Sequence, residues 1–142
     1  MNTSKIKVLL VDDEPVSRER IRKLLSLDPD ILIVGESKNG REALGAIARS
    51  APDVAIVEAD MPILGGFGIV SALFPAARPL IIFTSDTTEH AVRAFDVNAL
   101  DYLIKPVPTD RLRQAMMRAR DVLTAPTRLG ELQGQCVMED AQ

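Results

Sequence analysis

Cysteine occurs once in these 142 residues, at Cys136, and tryptophan not at all; Tyr102 and His90 are likewise single. One cysteine closes no disulfide within the chain and builds no thiolate cluster, so nothing points to an oxidising compartment. His90 has no second ligand type nearby and reads as a surface helix residue rather than a catalyst. Long apolar runs are missing too. No stretch approaches the ~18 residues of a membrane span, and the first run, Val8 to Val11, is too short for a signal peptide. Neither sign of charge dominates: 17 basic side chains face 20 acidic ones, a formal charge of −3. That balance lacks the basic stripe of a self-sufficient nucleic-acid binder, although a DNA-binding domain could lie elsewhere on a longer chain. A cytoplasmic globular domain is expected, with no membrane contact. The hydrophobic share is 46% and the charged share 26%, ordinary for a folded protein. The length suits one domain with a short tail, and a chain of this size buries about 68–70% of its unfolded surface.

The apolar pattern alternates between two kinds of segment. Short continuous runs occur at Val8–Val11, Ile31–Val34, Val54–Val57, Leu80–Phe83 and Tyr102–Ile104. They read as strands buried on both faces of a parallel sheet. Between them lie stripes with helical spacing: Ile21, Leu24 and Leu25; Ala43, Leu44, Ile47 and Ala48; Ile69, Val70, Leu73 and Phe74; Ala91, Val92, Ala94 and Phe95. Leu112, Ala115, Met116, Ala119, Val122 and Leu123 form the clearest stripe. Pro15 suits a first helical position, Asn39 with Glu42 has capping-box spacing, and Asp110 meets the positive end of the last helix dipole. Five strand–helix repeats imply a five-stranded parallel sheet with helices on both faces. The expected strand order is the flavodoxin-like 2-1-3-4-5, with the site at the carboxyl ends of the strands. The domain is expected over 1–123, with 124–142 a linker or tail.

Each strand-like run ends in chemistry. The first is followed by Asp12-Asp13-Glu14, the third by Glu58-Ala59-Asp60, the fourth by Thr84-Ser85-Asp86 and the fifth by Lys105-Pro106. A parallel sheet places all four along one edge, and its first and third strands are neighbours. Asp12, Asp13 and Glu58 are therefore expected to converge. Carboxylates in one crevice do not all stay ionised unless positive charge joins them. Mg2+, a hard cation that takes oxygen ligands, and Lys105 would supply it. Glu14, Asp86 and Asp110 read instead as loop acids that cap helices and meet water. Gly65-Gly66-Phe67-Gly68 lacks the Lys-Ser/Thr ending of a phosphate loop and reads as a tight turn into the third helix.

Val8-Leu-Leu-Val-Asp-Asp-Glu-Pro15, Met61-Pro62 and Ala99-Leu-Asp-Tyr-Leu-Ile-Lys-Pro106 resemble a bacterial two-component response-regulator receiver domain, CheY-like in fold. Arg93-Ala-Phe95 and Ala99-Leu-Asp-Tyr102 are most similar to receivers joined to LytTR-type, AlgR-like DNA-binding regulators. The resemblance covers about residues 5–123. It implies that Asp12 and Asp13 organise Mg2+, with the Asp60 carbonyl as a further ligand. Ser85 takes the place of the hydroxyl that contacts a phosphoryl group, and Lys105 pairs with that group, followed by a Pro106 that is often cis in the family. Tyr102 takes the aromatic switch position. The resemblance also implies a histidine kinase as partner and repacking of the helix 4–strand 5–helix 5 face, often with a change in dimerisation. A homodimer through that face is expected if Val92, Phe95 and Val97 leave apolar surface there.

The acceptor position, counted back from Met61-Pro62, holds Glu58 where the family has aspartate. One added methylene moves the carboxylate by about 1.5 Å. Phosphoryl transfer rests on positioning and electrostatics, so ordinary phosphorylation is not expected here. A glutamate carries one negative charge and two oxygens where a phosphoryl brings about −1.5 to −2 and three, a partial imitation. The expected function is a phosphorylation-independent receiver and not an enzyme. The alternatives are a conventional receiver phosphorylated on Glu58 or Asp60 and controlling a DNA-binding output, a Mg2+-dependent phosphohydrolase, and a flavin or nucleotide carrier. The last lacks a G-x-G-x-x-G after strand one.

Overall fold

A computed structural model describes residues 5–73 and 78–125. Ten elements alternate along the chain: β1 (Ile6–Val11), α1 (Pro15–Leu25), β2 (Ile31–Ser37), α2 (Gly40–Ser50), β3 (Val54–Glu58), α3 (Gly66–Ala72), β4 (Leu80–Ser85), α4 (Ala91–Asp96), β5 (Asp101–Ile104) and α5 (Thr109–Leu123). All strand pairings are parallel, in the order β2-β1-β3-β4-β5. This is the five-stranded α/β fold expected from the alternation. Phe74, the last residue of the third apolar stripe, lies outside the described residues, as do Cys136 and the tail from 126 onward.

Strand side chains alternate between faces, and the core divides accordingly. Leu9, Val11, Ala55, Val57, Ile81 and Phe83 pack beneath α2, α3 and α4. Val8, Leu10, Val54, Ile56, Ile82 and Leu103 pack beneath α1 and α5. The central strands β1, β3 and β4 are buried on both faces. The edge strand β2 is not, with Leu32 exposed and Ile33 and Val34 only half-buried. Four-residue runs of branched apolar residues thus do not distinguish an edge strand from a central one.

Helix boundaries follow local chemistry. Pro15 opens α1, where its missing N–H costs nothing. Asn39 Oδ1 accepts the Glu42 N–H at 2.9 Å, while Glu42 Oε1 reaches back to the Lys38 N–H rather than to that of Asn39 itself. Helix α4 departs from its expected packing. It is six residues long, and only Ala94 is buried; Val92 is 73% and Phe95 80% exposed, while Val97 packs partly against the core. Too short to present a continuous face, α4 leaves half of its apolar stripe outward.

Candidate functional site

Asp12, Glu58 and Lys105 fall on the same alternation phase as Leu10, Ile56 and Leu103, the α1/α5 side of the sheet. Asp12 and Glu58 each follow the paired residues Val11 and Val57 by one step. The sheet therefore delivers two carboxylates side by side, and β5, two strands from β3, delivers the ammonium. Lys105 Nζ lies 3.0 Å from Asp12 Oδ2 and 2.8 Å from Glu14 Oε1, and it pairs with Glu58 Oε1. The Asp12, Glu58 and Lys105 side chains are all almost completely enclosed.

The surrounding backbone holds these groups in place. Glu58 Oε2 accepts the Asp60 N–H at 3.1 Å, leaving Oε1 to Lys105 alone. Gly66 sits against this turn: a Cβ there would meet the Phe83 ring at 2.7 Å and the Glu58 carbonyl at 2.9 Å. The glycine run thus has a packing reason and admits α3 close to the end of β3. Asp12 accepts the Glu14 N–H at 2.9 Å and the Ser17 hydroxyl at 2.8 Å, and the Arg18 guanidinium donates to its carbonyl. Lys105 N–H donates to the Ser85 carbonyl at 2.8 Å, and the Lys105–Pro106 bond is cis.

Burial is the largest influence on Glu58 and drives its pKa above the ordinary glutamate value. The Asp12 charge adds to that rise, while Lys105 and the Asp60 N–H oppose it. Burial pulls Lys105 down, but hydrogen bonds to Glu14, Glu58 and Asp12 outweigh it, so its pKa is raised overall and the ammonium stays charged.

Two expected members stand elsewhere. Asp13 is exposed, and Glu14 joins Asp12 and Glu58 instead. The cause is the turn after β1: Asp12 draws in the Glu14 N–H, and the Glu14 side chain reaches back to Lys105 rather than capping α1. The Asp60 side chain turns away to His90 Nε2, 3.0 Å distant, because β3 ends at Glu58 and the strand alternation ends with it. His90 is accordingly not a free surface side chain: it is three-quarters covered and lies beside Phe67, which also carries Arg93 over its ring at 4.2 Å. Ser85 is fully buried, and its hydroxyl accepts the Thr87 N–H at 3.2 Å. Tyr102 points inward and donates its hydroxyl to the Thr87 carbonyl.

Oxygen atoms of Asp12, Glu14 and Glu58 all lie within 4.8 Å of one another. Three carboxylates around one ammonium leave two negative charges in excess if all are ionised, and hard oxygen donors of this kind suit Mg2+. The donor set fits the cation, with Asp12 and Glu58 from the strand ends and Glu14 at the mouth. When bound, such a cation neutralises the carboxylates and any phosphate oxygen brought among them.

Glu14 and Ser17 were the members of this site that sequence reasoning missed. An acid directly after Asp12-Asp13 and a hydroxyl one helical turn into α1 were the available signals. Among the described residues no helix is long and apolar enough to cross a membrane.

Residues 8–117 match the response regulator receiver domain family. The chain is 46% identical over 115 residues to the transcriptional regulatory protein BtsR of Salmonella typhi, and 44% over 115 residues to BtsR of Escherichia coli strain K12. Each overlap covers 81% of this chain and 48% of the relative, so the chain spans about half the length of BtsR. Among solved structures, it resembles the response regulatory domain of protein mrkE from Klebsiella pneumoniae, with TM-score 0.75 and 27% identity over 82% of this chain and 96% of that one. The REC domain of AraT from Geobacillus stearothermophilus gives 0.74 and 30%, over 82% and 94%. The chain belongs to the response regulator receiver domain family, the signalling modules of two-component systems.

Proposed function

We propose that this chain is a receiver that signals without accepting phosphate, with Glu58 at the acceptor position. The observation that carries this reading is the buried Glu58–Lys105 pair at the ends of β3 and β5. In a phosphate-accepting receiver that lysine pairs with a phosphoryl oxygen. Here the longer acid already occupies it and supplies a standing negative charge. Tyr102 directed inward to the Thr87 carbonyl is in keeping with a switch held in one posture. Asp60 is a poor substitute acceptor, because its side chain is more than half exposed and engaged by His90.

On this reading residues 1–123 form the receiver and 124–142 a linker or tail, and the protein works in the cytoplasm. Asp12, Glu14 and Glu58 are the side chains that would meet Mg2+, with the Asp60 carbonyl a further ligand and Asp13 outside the set. A histidine kinase is the partner that the family implies, and productive phosphotransfer from it is not expected. The BtsR relatives are transcriptional regulators about twice as long as the overlap. A transcriptional output, of LytTR type by the Arg93-Ala-Phe95 and Ala99–Tyr102 phrases, is therefore the process such a receiver would control. Exposed Val92 and Phe95 beside the partly exposed Ile104 support a homodimer through α4, β5 and α5.

Restoring the shorter acid tests this reading. Glu58→Asp treated with acetyl phosphate and Mg2+ is expected to gain one phosphoryl group by intact mass, under conditions that leave the parent chain unmodified. Equal labelling of the two proteins would contradict it.

A further inference from the structure

Asp60 and His90 join the loop after β3 to the start of α4: His90 Nε2 lies 3.0 Å from Asp60 Oδ1 and 3.1 Å from Oδ2. His90 belongs to the first turn of α4, because its carbonyl accepts the Ala94 N–H at 2.9 Å. Its ring leans on Phe67, with centroids 6.0 Å apart, and Phe67 is stacked on Phe83 at 4.5 Å. Arg93 lies over the same Phe67 ring at 4.2 Å. The helix has six residues and buries only Ala94, well short of the roughly 12–15 residues at which an isolated helix becomes marginally stable. Its position is therefore set by what its first turn grips.

We propose that the Asp60–His90 bridge is the route by which the Glu58 site sets the position of α4, with Asp60 and His90 as positioning residues. The proposal rests on the reading of Glu58 as a standing signal and gives that signal its path. Glu58 Oε2 accepts the Asp60 N–H at 3.1 Å, the Asp60 carboxylate holds His90, and His90 opens α4. The contacts between site and helix are thus unbroken, as a coupling route requires. The hydroxyl at the end of β4 offers no such continuity. Ser85 Oγ accepts the Thr87 N–H at 3.2 Å, and among the described residues no hydrogen bond joins Ser85 to Glu58. The acid at position 58 matters because a carboxylate has two acceptor oxygens, one for Lys105 and one for the Asp60 N–H. Glutamine has a single acceptor oxygen, and the Lys105 ammonium, which only donates, claims it. The Asp60 turn then loses its anchor. Exposed Val92 and Phe95 ride on α4, so a shift of the bridge rearranges the apolar face that α4 presents.

The test uses the full 142-residue chain, 15N-labelled, with chelator present and the backbone amides read by NMR. Glu58→Gln is expected to move the Arg93, Ala94 and Phe95 amide signals. In an Asp60→Ala background the same substitution is expected to leave them in place. The Asp60 side chain is more than half exposed, so this background keeps its fold, and the Ala115 and Ala119 amides on the buried face of α5 certify it. Asp60→Asn should restore the response, because an amide carries both a donor and an acceptor and pairs with either tautomer of the imidazole. A bridge that only supports the fold would alter α4 on loss of Asp60 yet leave its response to Glu58→Gln unchanged; that result would overturn the proposal. So would an α4 that ignores Glu58→Gln in the parent, or a response lost alike in Asp60→Asn and Asp60→Ala. No phosphoryl donor enters the experiment. Labelling of Glu58 by acetyl phosphate would overturn the standing-signal reading, while the route through Asp60 and His90 stands or falls on the amide shifts alone.

Discussion

Glu58 and Lys105 sit at the ends of two strands that do not touch, separated by β4, yet their side chains meet in a buried ion pair beneath the first loop. The sheet brings them together by matching alternation phase. The local turns then deny each of them an alternative partner in water.

Lys105→Met should be costly. It leaves Asp12, Glu14 and Glu58 facing one another without their ammonium. Breaking one side of a buried ion pair costs about 3–5 kcal/mol, read as a lower urea midpoint at unchanged slope. Glu58→Gln removes one of three acids and leaves Lys105 paired with Asp12 and Glu14, so it should change stability by less than about 1 kcal/mol. In the double variant the two effects should fail to add by about 0.5–3 kcal/mol, as expected of contacting groups. Additivity would mean that the pair carries no coupling.

Stability should also depend on pH through Glu58. Its folded pKa lies above the ordinary value of 4.5, chiefly because it is buried. Such a carboxyl binds more protons folded than unfolded. Its contribution is complete below the unfolded pKa and is lost as pH rises through the folded one. Relative to Glu58→Gln, the parent should therefore lose stability on going from pH 4 to neutrality, in urea titrations with chelator present. A parent that gains on Glu58→Gln over that interval would contradict the burial argument. Lys105 has the same sign at the other end of the scale: its raised pKa keeps its contribution intact below 10.5 and lets it fade only in strong alkali.

The five strand–helix repeats were legible because short continuous apolar runs alternate with stripes of period 3.6, and the strand order and the edge carrying the chemistry followed from the topology of a parallel α/β sheet. The partners within the edge were not. Whether Asp13 or Glu14 turns inward depends on a hydrogen bond from the Glu14 backbone to Asp12, which composition does not announce. The Asp60 side chain is lost to the site because the strand stops at Glu58, a boundary of one or two residues that pattern reading does not resolve. Val92 and Phe95 kept helical spacing, but a six-residue helix cannot bury both sides of it.

Ile63 carries φ of 73° and is 79% exposed, in the loop between β3 and α3. A β-branched residue in the left-handed region costs roughly 1–2 kcal/mol, and asparagine visits that region more readily. Nothing buried is lost on replacement. Ile63→Asn should raise stability by about 0.5–1 kcal/mol in thermal or urea unfolding. A loss would show that Ile63 makes a contact worth more than its backbone strain.

The most direct measurement is the intact mass of the unaltered chain after incubation with acetyl phosphate and Mg2+. A mass that does not change is the outcome expected when Lys105 is already engaged by an acid of the wrong length. A stable gain of one phosphoryl group, abolished by Glu58→Ala, would contradict the account, because Glu58 would then be an acceptor.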